Sequence, residues 1–121
     1  MTSTKNCITC RCPRRVHRFI EPCLLLSLRR RPSYGYQLLE DLRDFGFNAE
    51  PDTAALYRNL RRMEEEGYVT SEWHPGEAGP AKRYYKITPL GCRLLAEWAD
   101  AMEVQKHALG QFVEAYKQEF K

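Results

Sequence analysis

The chain has 121 residues and a formal net charge of +3, with 43% hydrophobic and 29% charged residues, the balance of one small folded unit with a modest core. No run of 18 apolar residues occurs, which argues against a membrane span. The short apolar stretch Cys23 to Leu28 runs into Arg29, Arg30 and Arg31, where a secretory signal would carry small residues, so a cytoplasmic location is expected.

Residues 1–15, MTSTKNCITCRCPRR, lack hydrophobic periodicity and read as a flexible arm. The first 31 residues hold 8 Lys and Arg against Glu21 alone, a balance of +7. Residues 32–121 hold 11 against 15, a balance of −4. Basic charge is therefore concentrated at the front, as in an arm that meets a polyanion or one that only solubilises. Cys7, Cys10 and Cys12, with Cys23 or His17, offer enough thiolate and imidazole ligands for zinc or an iron-sulfur cluster, although the C-x2-C-x-C spacing is not a common zinc pattern. The competing reading is a reduced tail, with Cys23 an ordinary buried thiol.

Residues 16–88 read as one domain. Pro22, at a first helical position, opens an apolar helix through Leu28, which Arg29 to Arg31 and Pro32 end. Ser33 is the expected N-cap of a second helix with Leu38, Leu39, Leu42 and Phe45 as its core stripe and Gly46 as its stop. After the short connection Phe47 to Pro51, Asp52 caps a third helix that runs to Gly67. Leu56, Leu60 and Met63 form its inner stripe. Ala54, Arg58 and Arg61 face the other way, flanked by Thr53 and Tyr57. Arg suits guanine edges and phosphates, Tyr suits phosphates, and small Ala and Thr side chains permit close approach to bases, so this face is expected to contact DNA.

Tyr68 to His74 and Lys82 to Thr88 read as two strands joined by a Pro/Gly loop, with Lys82 and Arg83 placed to meet a sugar-phosphate backbone. Thr88 and Pro89 then start a helix to about Phe120, residues 89–121 forming the last segment. Trp98, Met102, Gln105, Leu109, Phe112 and Tyr116 fall on a heptad stripe along it, which predicts pairing with a second copy. Trp98 is either a core aromatic or one wall of an effector pocket at the two-fold axis. The fold class expected is α+β, mainly α: a winged helix-turn-helix with a two-stranded wing and a long C-terminal dimerisation helix. His17, His74 and His107 are scattered and no phosphate loop or activated nucleophile is evident, so no enzyme activity is expected.

From Cys23 to about Leu95 the motifs Gly35-Tyr36, Thr53 to Tyr57, Leu60 to Val69, Ser71-Glu72-Trp73, Gly79 to Tyr85 and Thr88 to Gly91 follow one another in an order that resembles the PadR-like transcriptional regulators, specifically the subgroup with a single C-terminal helix. The resemblance implies a homodimer that binds a double-stranded DNA operator and represses transcription until a small molecule or other signal weakens binding. Carried over by motif, the DNA contacts are Tyr36, Thr53, Tyr57, Arg58 and Arg61, with Lys82 and Arg83 in the wing. Two alternatives stay open: a winged-helix protein-interaction module that does not read DNA, favoured by the acidic balance after residue 31, and a metal- or redox-sensing regulator that uses the cysteines.

Overall fold

The structure is a computed structural model that describes residues 19–45, 52–76 and 78–120. The basic arm with Cys7, Cys10 and Cys12 lies outside the described residues, as do His17, Gly46 and the connection to Pro51.

Helix α1 (Ile20–Arg30) is buried on nearly every side, through Ile20, Pro22, Cys23, Leu24, Leu25, Ser27 and Leu28. It is the central post of the core, which fits a helix that is apolar all round. Pro22 stands at its third position and not its first. Both positions are tolerated, because first-turn N–H groups have no partner within the helix. The chain then makes the two-residue strand β1 (Ser33–Tyr34) and turns into α2 (Gly35–Arg43), which buries Leu38 and Leu42. Ser33 is thus a strand residue and not the N-cap. Its hydroxyl donates to the Arg31 carbonyl at 3.2 Å, while the Tyr34 N–H at the helix entrance donates to Gln37 Oε1 at 2.9 Å.

Helix α3 (Thr53–Glu65) starts as expected, with Asp52 Oδ1 accepting from the Ala54 N–H at 3.0 Å. Its inner residues Ala55, Leu56, Leu60 and Met63 complete the core against α1 and α2. Gly67 follows with φ +89°, the left-handed turn that lets the chain leave a helix at little steric cost.

The strands β2 (Val69–His74) and β3 (Lys82–Ile87) form an antiparallel hairpin running from Val69 opposite Ile87 to His74 opposite Lys82. The sheet has three strands rather than two. β1 lies on the other side of β3, with Ser33 opposite Tyr85 and Tyr34 opposite Tyr84, giving the order β1-β3-β2. This addition ties the wing to the entrance of α2, so one edge of the hairpin is covered.

Helix α4 (Pro89–Glu119) has 31 residues, roughly 46 Å at 1.5 Å per residue. Thr88 joins it to the hairpin: its hydroxyl donates to the Gly67 carbonyl at 2.6 Å and accepts from the Gly91 N–H at 3.0 Å. Leu94, Leu95 and Trp98 pack against the core, after which the helix leaves the domain. Among the described residues, no helix is long and apolar enough to cross a membrane.

Candidate nucleic-acid interface

The outer face of α3 is assembled as its periodicity requires. Thr53, Ala54, Tyr57, Arg58 and Arg61 are all exposed, while the stripe half a turn away is sealed in the core. Tyr57 is 42% exposed and leans over the start of α2, its ring and hydroxyl lying against Gly35. A Cβ at position 35 would collide with that ring, so the seat of Tyr57 on α2 depends on the missing side chain.

A cleft of about 660 Å³ separates α3 from the wing. Tyr36, Tyr57 and Trp73 supply aromatic walls, and Arg61, Lys82 and Arg83 supply positive charge. Two of the cations are held by rings. Lys82 Nζ lies 5.0 Å from the centroid of Tyr36, and the Arg83 guanidinium carbon lies 4.9 Å from that of Trp73. Each ring presents its electron-rich face to a charge and limits where a long side chain wanders. The acid in the cleft, Glu64, accepts from the Ser71 hydroxyl at 2.9 and 3.0 Å. Tyr85 forms part of the inner wall. Burial pushes its phenol pKa up, and Tyr57 and Glu64 add to the shift against the opposing charge of Arg83 and Arg61, which keeps the hydroxyl neutral.

Below the cleft an aromatic cluster fixes the wing to β1. Tyr34 stacks on Tyr36 with centroids 6.0 Å apart and meets Tyr84 at 4.8 Å, and His74 stacks on Tyr84 at 4.4 Å. His74 Nδ1 lies 3.0 Å from the Tyr34 hydroxyl, and its Nε2 lies 3.0 Å from Glu72 Oε1. A neutral imidazole satisfies both partners by donating from Nε2 and accepting at Nδ1. The hydrogen bond from His74, with the charge of Lys86, holds the Glu72 carboxyl below its ordinary range.

Of the residues read from the sequence as DNA contacts, Tyr36, Tyr57, Arg61, Lys82 and Arg83 line the cleft, while Thr53, Ala54 and Arg58 lie exposed elsewhere on α3. Trp73, Tyr34, His74 and Tyr84 are not among the DNA contacts that the sequence suggests. Alternation along Val69 to His74 placed Trp73 on a strand, but nothing local announced the Arg83 stacked on it.

The heptad stripe of α4 divides in two. Trp98 belongs to its own domain, where its Nε1 donates to Glu21 Oε1 at 2.7 Å and its ring lies 6.3 Å from that of Phe19. Met102 is half-buried, whereas Gln105, Leu109, Phe112 and Tyr116 are exposed, Phe112 by 70%. Val113 and Phe120 add to that apolar surface. Arg62 pairs with Glu66 one turn on at 3.0 Å and also reaches across to Glu21 at 2.7 Å. Burial of the guanidinium works against its charge, but the hydrogen bonds and charges of Glu21 and Glu66 outweigh it and raise its pKa.

Cys23 is 3% exposed within the apolar core, packed with the leucines of α1. The ligands read with it, Cys7, Cys10, Cys12 and His17, lie outside the described residues. Among the described residues no group of three or more His, Cys, Asp or Glu side chains is placed to hold a metal ion.

Residues 24–97 match the transcriptional regulator PadR-like family. A transcriptional regulator of Mycobacterium tuberculosis is 36% identical over 70 residues, a match that spans 58% of this chain and 63% of that protein. Among solved structures, a PadR family transcriptional regulator of Eggerthella lenta is 32% identical with a TM-score of 0.63, covering 75% of this chain and 80% of the other. A protein of Thermoplasma acidophilum is 28% identical with a TM-score of 0.73, covering 84% and 96%. With the winged-helix architecture and a family match across more than half its length, the chain belongs to the PadR-like family of transcriptional regulators.

Proposed function

We propose that the protein binds double-stranded DNA as a homodimer and represses transcription, with release by a small-molecule or other signal. In this reading α3 enters the major groove, Arg58 and Arg61 meet base edges or phosphates, and Thr53 and Ala54 allow close approach. Tyr36, Tyr57, Lys82 and Arg83 hold the flanking backbone. The exposed distal stripe of α4 packs against the same stripe of a second copy, an isologous contact that places two recognition helices on pseudo-palindromic DNA at half-sites roughly 34 Å apart or a multiple of that.

One observation carries the reading. A single cleft is bounded by the cationic face of α3 on one side and by the ring-held cations of the wing on the other. Selecting bound fragments from the source genome and footprinting them tests it. Two protected half-sites related by a dyad are expected. Indifferent retention of all fragments at low salt, with no protected site, would remove sequence-specific recognition.

A further inference from the structure

Glu21 is the sole acidic residue in the first 39 positions, and it sits in a helix that is otherwise committed to the core. Its side chain is 14% exposed, and its two oxygens go to different helices. Oε1 accepts from Trp98 Nε1 on α4 at 2.7 Å, and Oε2 pairs with Arg62 Nη2 on α3 at 2.7 Å. Arg62 is itself anchored within α3, by Asn59 Oδ1 at 3.0 Å and Glu66 Oε1 at 3.0 Å, and Asn59 is tied to the Ala55 carbonyl at 2.8 Å. These hydrogen bonds tie the guanidinium to the helix that carries Arg58 and Arg61.

Trp98 is where α4 leaves the domain. From there to Glu119 the helix extends roughly 32 Å, so a tilt of about 10° at Trp98 displaces its far end by about 6 Å relative to α3. A base pair occupies roughly 3.4 Å along DNA. Small angular freedom at this junction would therefore smear the separation of two recognition helices over more than one base pair. Leu94 and Leu95 also attach α4, but apolar contacts tolerate sliding, whereas two short hydrogen bonds to one carboxylate fix a direction.

We infer that Glu21 is a positioning residue that locks α4 to α3 through Trp98 and Arg62 and so sets the half-site spacing that a pair of copies accepts. The inference rests on the dimeric DNA-binding reading above. The test takes an operator recovered by genomic selection and varies its spacer by one and two base pairs in each direction, using the full chain and its Glu21→Ala, Glu21→Gln and Trp98→Phe variants. Wild type is expected to favour one spacing by about tenfold or more. Glu21→Ala should reduce that preference to about threefold or less while leaving affinity for a single half-site within about twofold. Trp98→Phe, which keeps a ring but loses the N–H, should also flatten the preference. Glu21→Gln, which retains an acceptor for Trp98, should fall between, and with Trp98→Phe it decides the matter if circular dichroism finds Glu21→Ala unfolded. Full retention of the preference in Glu21→Ala and Trp98→Phe, or equal loss on half-sites and full sites, would overturn the inference. Wild-type binding without any spacing preference would overturn it alone, and failure of wild type to bind any fragment would overturn the DNA reading with it.

Discussion

The ring of Tyr57 lies directly on Gly35, filling the space where any other residue would carry its Cβ. Gly in a helix usually costs about 0.5 to 1 kcal/mol relative to Ala, so Gly35→Ala would stabilise a free helix. Here the sign is inverted. The collision forces Tyr57 or α2 to move, at a cost of about 1 to 3 kcal/mol of stability. Denaturant unfolding of Gly35→Ala with and without Tyr57→Ala checks this. The penalty should shrink in the Tyr57→Ala background, and strict additivity would mean that the two residues do not contend for the same space.

Thr88 couples the hairpin to α4 through the Gly67 carbonyl and the Gly91 N–H. Thr88→Ala should cost about 1 kcal/mol, the usual loss for an N-cap, with up to about another 1 kcal/mol for the second hydrogen bond. Thr88→Ser should recover most of it. Equal stability of the alanine and serine variants in urea unfolding would show that the hydroxyl is not what holds the junction.

The wing should loosen in acid. His74 and Lys86 hold the Glu72 carboxyl below its ordinary pKa, so the folded protein favours the ionised form. Stabilisation from a depressed acid is present above the unfolded-state value and is lost as pH falls through the folded-state value. An NMR titration from about pH 6 down to about pH 3, across the carboxylate range, should show Glu72 titrating below the ordinary glutamate value. Titration of Glu72 at or above the ordinary glutamate value would contradict the assignment.

Leu109 and Phe112 lie exposed on the distal half of α4, where the proposed partner copy would cover them. Leu109→Asp with Phe112→Asp should give monomers by sedimentation at concentrations where wild type is dimeric. Helix content should remain high near the domain, because the proximal part is held by Leu94, Leu95 and Trp98. An unchanged sedimentation coefficient would place the dimer contact elsewhere.

Much of this architecture was legible where physical signals are local. Asp52 followed by the stripe Leu56, Leu60 and Met63 marked α3, the alternation and Pro/Gly loop marked the hairpin, and Thr88-Pro89 marked the start of α4. What escaped depends on residues far apart in the chain. A two-residue strand has no periodicity, so Ser33 reads as a helix cap in the sequence, and only its pairing with Tyr85 makes it a strand residue. Trp98 fitted a heptad stripe, and only the fold brings Glu21, 77 positions away, against its indole. Lys82 and Arg83 were recognisable as wing cations, but the rings of Tyr36 and Trp73 that fix them are contributed by other elements.

The salt dependence of operator affinity measures directly whether the cationic face of α3 touches DNA. Each phosphate-contacting cation contributes about 0.9 to the slope of log affinity against log salt, whereas a base-reading Arg is worth about 1 to 3 kcal/mol of discrimination between sequences. Wild type should be compared with Arg58→Ala and Arg61→Ala on the selected operator and on a scrambled one. Each substitution is expected either to lower the slope by about 1 or to erase preference for the operator. Unchanged slope and unchanged preference in both variants would contradict the assignment of this face.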